Sequence, residues 1–321
     1  MEEEKIYQEI RKSFYNNFNK NVLPILKKFE NKRRKIKRNL LIFMLLVNVP
    51  ILFIIFKIIF DKTADLGLKN FAPIILFLLI FAICLYSFAF TKAWFENLIK
   101  KEVMPIFCTC FSNLRWETIA NFRGICLAVS NDTIKETNLI PDFEKISYGD
   151  CFNGEHNRVK FSIEEGMALD NSGRNSRIVF IGAIVTIEMN KNFNGNTIIQ
   201  SDSTRHVSPS KNLHHTILED IEYEKKFDVF TDDDVEARYL ITTSFMERIK
   251  SIQLAFKVKN VSVAFYQDKI FIALHAGRDL FSLGSLLKDV CATEQFDKML
   301  EEILSIIKLI DHFKLDQKIG M

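Results

Sequence analysis

The sequence predicts an α+β protein: N-terminal helices and a two-helix transmembrane hairpin, followed by a cytoplasmic domain with an antiparallel sheet and flanking helices. Three observations predict it. Two long apolar runs lie near the N-terminus, a stretch rich in β-branched and aromatic residues starts near residue 147, and helical periodicity brackets that stretch. The chain has 321 residues and is 48% hydrophobic, more than a purely soluble protein needs. Six prolines, eleven glycines and no Ser/Gly/Pro-rich linker exclude a disordered or collagen-like class.

Residues 1–38 are predicted as a cytoplasmic amphipathic and basic helix. Ile6, Ile10, Phe14, Phe18 and Val22 recur every fourth residue, and Glu2, Glu3 and Glu4 sit where a helix N-terminus favours negative charge. The apolar face suits a membrane surface or the helix following Trp94, the latter preferred. Twelve basic residues face five acidic ones in this stretch, with Lys32, Arg33, Arg34, Lys35, Lys37 and Arg38 crowded at its end.

Residues 39–92 are predicted as the transmembrane hairpin, with spans at about 39–60 and 71–91. Twenty-two residues at about 1.5 Å each cover a hydrocarbon core of about 30 Å. The second run has no charged residue, and Lys57 lies near the outer end of the first, within snorkelling reach of the interface. The basic cluster before the first run, against Lys62 and Lys69 between the runs, places both termini in the cytoplasm of a multi-pass inner-membrane protein. Lys92, Lys100 and Lys101 mark the return, with Trp94 at headgroup level. In that compartment Cys108, Cys110, Cys126, Cys151 and Cys291 are expected as reduced thiols. The polar Asn48, Tyr86 and Ser87 read as helix-packing groups within the spans.

Residues 93–145 are predicted as a juxtamembrane helical segment and 146–321 as the α+β domain. Strands are expected at 159–163, 177–189, 198–199 and 261–266. The Asn194-Gly195-Asn196 turn predicts one hairpin, between 177–189 and 197–199, and Gln267-Asp268 a second. Thr231 with Asp234 reads as a capping box opening a single helix over 232–252, and Ile303, Ile306, Ile307 and Ile310 predict a C-terminal amphipathic helix.

Several local patterns together resemble a bacterial membrane family known only as domain of unknown function 3137. They are Asp150 with Gly154; Phe180-Ile181-Gly182 leading to Asn190 through Thr197; Phe227-Asp228-Val229-Phe230; Val235-Glu236-Ala237-Arg238-Tyr239; and Met246. The resemblance covers about 147–275 and implies architecture, with no catalytic residue to carry over. Where the family pattern places a charged residue beside the glycine, this chain has Ile181.

No catalytic, cofactor or metal site is expected. Cys108 and Cys110 lack the second ligand pair that a structural zinc site requires, and the contiguous Asp232, Asp233, Asp234 and Glu236 lack the spacing of a calcium loop, which leaves helix capping. His214 and His215 have no nucleophile context, and phosphate-binding and zinc-protease motifs are absent. From residue 93 onward acidic residues outnumber basic ones, which argues against nucleic acid. The sharpest soluble motif is a possible binding loop at Asn190, Lys191, Phe193, Gly195 and Thr197. The reading is a membrane-anchored interaction or regulatory module whose partners are membrane lipid and a protein at the cytoplasmic face. The alternatives are a membrane-associated enzyme acting on lipid or membrane-delivered substrates and an oligomeric small transporter or channel.

Overall fold

The computed structural model describes residues 2–60, 72–111, 113–118, 130–171, 176–190, 192–201, 212–218 and 220–319. The inter-run segment 61–70 with Lys62 and Lys69, Lys191, Cys126, and Ser208, Pro209, Ser210 and Lys211 lie outside the described residues. The chain packs as two compact units: Met1–Phe14, Cys108–Phe281 and Thr293–Met321 form one, Tyr15–Phe107 and Ser282–Ala292 the other.

In chain order the elements are α1 (Glu2–Asn17), a π-helical turn (Phe18–Val22), α2 (Leu23–Phe60), α3 (Ala72–Cys108), β1 (Leu114–Thr118), α4 (Asn131–Glu136), β2 (Lys145–His156), β3 (Val159–Asp170), β4 (Arg177–Glu188), β5 (Thr197–Ser201), β6 (His214–Thr216), α5 (Ile221–Glu224), β7 (Phe227–Thr231), α6 (Asp234–Leu240), α7 (Thr243–Phe256), β8 (Asn260–Tyr266), β9 (Lys269–His275) and α8 (Glu294–Ile319). Among the described residues nine strands form one sheet in the order β1-β2-β3-β4-β9-β8-β5-β7-β6, every pairing antiparallel.

Both faces of the sheet centre are covered, which is why β4 reads as a continuous apolar run rather than an alternating one. On one face Phe245 of α7, Phe265 of β8 and Phe313 of α8 pack at tilted and edge-on angles with ring centroids 5.5 to 6.2 Å apart. On the other, Phe180, Ile184, Ala264, Phe271 and Ala273 pack with Ile134 of α4 and the following Leu139, Ile140 and Phe143. Adjacent residues such as Ala264 and Phe265 therefore serve opposite layers, as the period of two requires.

Two close approaches fix the register. A side chain on Gly182 would put its Cβ 1.8 Å from the Leu274 carbonyl oxygen, so β4 and β9 lie together at this level only with glycine there. The loop after β9 closes the same place, because the N–H groups of Ala276 and Gly277 both donate to the Ile181 carbonyl.

Three expectations change. The Asn194-Gly195-Asn196 turn does not join neighbours: β4 pairs with β3 and β9, β5 pairs with β8 and β7, and the β8–β9 hairpin lies between them. The single helix over 232–252 is two helices, broken at Ile241, with Thr242 accepting from the Phe245 N–H as a second N-cap. The helix after Trp94 ends at Cys108, and β1 follows and pairs with β2. The hairpin at Gln267-Asp268 forms as expected, Tyr266 opposite Lys269 and Gln267 at φ 56°. The C-terminal helix also forms, with Ile303, Ile306, Ile307 and Ile310 buried.

Within the first unit, α1 meets α8. The Tyr7 hydroxyl donates to Asp311 at 3.0 Å, and Arg11 pairs with Glu301 at 2.6 Å. The face at residues 2–14 presents Tyr7 and Phe14 inward, Phe14 against Phe111 with ring centroids 5.3 Å apart, while Ile6 stays exposed. In the second unit α2 and α3 run against each other. Phe29 lies edge-on to Phe95 with centroids 6.4 Å apart, and the Asn48 amide donates to the Met44 carbonyl and reaches the Cys84 sulfur at 3.5 Å.

Candidate functional site

The predicted binding loop and the acidic run are one structure. Glu236 accepts the backbone N–H groups of Asn194 and Gly195 at 2.8 and 2.7 Å, and Asp232 accepts the N–H and side-chain amide of Asn196 at 2.6 and 3.2 Å. Gly195 is required because a Cβ there would lie 2.5 Å from an Asp232 carboxylate oxygen and 2.8 Å from the Asp233 Cβ. Phe193 donates its N–H to the Gln267 carbonyl and sets its ring edge-on to Phe265, and Thr197 shares a hydroxyl hydrogen bond of 2.9 Å with Thr231. Asn190 is exposed. The loop's N–H groups at 194–196, a ready concavity for an anion, are thus filled by carboxylates of the chain itself.

The rest of the acidic run is also engaged. Asp233, not Thr231, is the cap of α6, accepting from the Val235 and Glu236 N–H groups, while Thr231 accepts from the Asp233 N–H. Asp234 accepts from Thr216 and lies 3.0 Å from His214 Nε2, and these two contacts, Thr216 the stronger, hold its carboxyl below the usual range. His214 and His215 lie exposed on the short strand β6, where His215 faces Asp228 at 3.6 Å.

A second carboxylate group was not legible in the sequence, because β-sheet pairing across a bulge and a distant loop assemble it. Asp150, Glu165 and Asp279 bring oxygens within 4.8 Å of one another, two of them buried. Asp150 accepts from the Trp116 indole N–H at 3.0 Å, and Glu165 accepts from the Leu280 N–H at 2.6 Å.

Cys108 and Cys110 are not activated thiols. Burial pushes the Cys108 thiol up to about 12 and the Cys110 thiol to about 11, so both stay protonated. Cys151 is disulfide-bonded, which departs from the reduced state expected of a cytosolic thiol.

The basic run divides. Lys32, Arg34, Lys35, Lys37 and Arg38 are exposed, and the Lys32 ammonium lies 5.5 Å from the Trp94 ring centroid. Arg33 instead turns inward. It makes a two-pronged pair with Glu30 at 2.7 and 2.8 Å and donates to the Leu286 carbonyl, while Glu30 also accepts from Arg34 and the Val290 N–H. The Arg33 hydrogen bond, opposed by burial and aided by Arg34 and Val290, holds the Glu30 carboxyl down at about 2. The i, i+3 spacing of Glu30 and Arg33 was visible in the sequence; the loop at 286–290 that completes the site was not.

Helices α2 and α3 carry the other feature of note. Among the described residues one helix, at Phe77–Cys108, is long and apolar enough to cross a membrane, and 6% of its most apolar window is buried.

The fold and these sites define the class: an α+β protein with a large antiparallel sheet, flanking helices and a long apolar helix turned outward. Residues 178–315, from β4 into α8, match the model of a family described as "Protein of unknown function (DUF3137)", in agreement with the resemblance seen in the sequence. No curated protein matches the chain. Among solved structures, the crystal structure of the mycobacterial trehalose monomycolate transport factor A, TtfA, aligns at TM-score 0.31 and 8% identity over 52% of this chain and 74% of that one, a likeness too slight to carry an argument.

Proposed function

We propose that the chain is a membrane-anchored interaction or regulatory module, in which α2 and α3 cross the inner membrane as a hairpin and the sheet unit meets a protein partner and lipid headgroups at the cytoplasmic face. One observation carries this reading. The apolar residues of both helices point outward: Leu46 is 70% exposed, Phe53 60%, Tyr86 73% and Phe90 63%, with Leu41, Phe43, Ile75 and Leu78 similarly turned out. Apolar surface on this scale is stable in lipid and a liability in water. A core helix of a soluble protein has the opposite pattern. Farther along the same helices Phe29, Phe95, Ile99 and Val103 are buried, so the outward stretch has a definite end.

The orientation rests on the five exposed basic residues beside the apolar stretch of α2 and on Trp94. One observation favours the opposite side, the disulfide at Cys151, because such bonds persist in oxidising compartments. Membranes holding the full chain, washed with alkaline carbonate, test the anchor. The protein should stay in the pellet and leave only with detergent; release by carbonate would contradict an integral anchor.

A further inference from the structure

The sheet unit has a groove that the anchor does not explain. Thr216 of β6, Ile217 and Leu218 beyond it, Tyr223 of α5, Arg238 of α6 and Met246 of α7 line a cavity of about 280 Å³, polar and apolar side chains together. Thr216 is tied to the start of α6 by its hydrogen bond to Asp234, and the Leu218 N–H donates to Glu224, so β6 and α5 are held in place beside α6. Around this cavity large apolar side chains face outward: Ile217 is 69% exposed, Ile221 71%, Val235 81% and Tyr239 63%. Val235 and Tyr239 are four residues apart on α6 and therefore share one outward face.

The rim is acidic. Asp220, Glu222, Glu224 and Asp234 flank these residues, against Arg238 in the lining and Lys225 and Lys226 beyond α5. The Tyr223 phenol registers that charge, since burial first, then Glu247, Asp220 and Glu222, push its pKa up. An acidic rim repels the anionic headgroups of a bilayer, so membrane insertion does not account for the exposed apolar surface here. An apolar centre with a complementary charged rim is the usual anatomy of a protein interface.

We propose that this groove docks an amphipathic, basic segment of a partner protein, an apolar side chain of the partner filling the cavity between α5, α6 and α7 and its Lys or Arg residues meeting Asp220 and Glu222. The assignment gives the interaction module a binding face; it rests on that reading for the role, but not on the membrane anchor for the geometry.

The test uses the full chain in detergent, with fluorescence anisotropy of two labelled synthetic amphipathic peptides of equal apolar content, one of Leu and Lys, the other of Leu and Glu. The Leu/Lys peptide should bind saturably. The double variant Ile217→Ser/Tyr239→Ala and, separately, Asp220→Lys/Glu222→Lys should each weaken it by about tenfold or more. Leu254→Ser, on an equally exposed apolar residue of α7, should leave it unchanged. Equal binding of the Leu/Glu peptide, equal loss in Leu254→Ser, or no binding by either peptide overturns the proposal. So does a dimer of the chain that dissociates on Tyr239→Ala, which would make the occupant a second copy. None of these outcomes depends on the carbonate wash, so the groove and the anchor stand or fall separately.

Discussion

The basic run at 32–38 and the acidic run at 232–236 look alike in sequence, each a dense block of one sign beside a helix, yet the fold uses them differently. The basic run sends one member inward, Arg33, and leaves five outside. Four acidic groups of the other run are all committed to the chain: Asp232 and Glu236 to the loop at 194–196, Asp233 to the α6 cap, Asp234 to Thr216 and His214. A charge run therefore speaks to function only through what remains after internal partners are subtracted. By that rule the basic run leaves Lys35, Lys37 and Arg38 as exposed charge, while the acidic run is mostly framework.

The largest effect should separate the two kinds of basic residue. Arg33→Ala removes the two-pronged partner of the buried Glu30, leaving it only Arg34 and the Val290 N–H, and should cost about 2 to 4 kcal/mol, whereas exposed Lys35→Ala should change stability by less than about 0.5 kcal/mol. Thermal melts of the detergent-solubilised chain decide it, and equal losses erase the distinction.

Next comes the acidic run. Glu236→Ala removes the partner of two backbone N–H groups and should cost about 1 to 3 kcal/mol, and Asp233→Ala about 1 kcal/mol as a lost cap. If both behave as ordinary surface changes in denaturant titration, the loop is not stapled and the site is open to a ligand after all.

The pH dependence sharpens the comparison further, because two buried carboxylates have opposite signs. Glu30 is held at about 2, below its unfolded value of 4.5, so its contribution is present above about pH 4.5 and lost as pH falls toward 2. Glu302 is buried within α8, where burial, opposed by the nearby Lys298, raises its carboxyl to about 7. The fold then binds its proton more tightly than the unfolded chain between about pH 4.5 and 7, and stability falls as pH rises through that window. Glu302→Gln should flatten the alkaline limb and leave the acid limb; a variant with an unchanged profile contradicts the assignment.

The smallest effect is expected at Asp234→Asn. That carboxylate is about half exposed, and the thermal midpoint at pH 7 should stay within a degree or so.

What the sequence disclosed follows the range of the forces involved. The β8–β9 hairpin was legible because a two-residue turn and its flanking alternation are local, and α8 because its isoleucines repeat at helical spacing. The turn at 194–196 was found but misassigned: a local turn does not reveal that β9 and β8 will insert between the strands it appears to join. The break between α6 and α7 is capped by Thr242, and no Gly or Pro marks it in the sequence. The groove between α5, α6 and α7, the carboxylate group at Asp150, Glu165 and Asp279, and the Leu286 and Val290 contacts to the Glu30–Arg33 pair all join residues distant in the chain, and no spacing rule reaches them.

The most direct test of the central claim is thiol accessibility in intact cells with a membrane-impermeant reagent, using Asp65→Cys between the two helices and Lys225→Cys in the sheet unit. The account predicts labelling at position 65 and protection at 225 until lysis. Labelling at 225 with protection at 65 would contradict it and place the sheet unit on the outer side of the membrane.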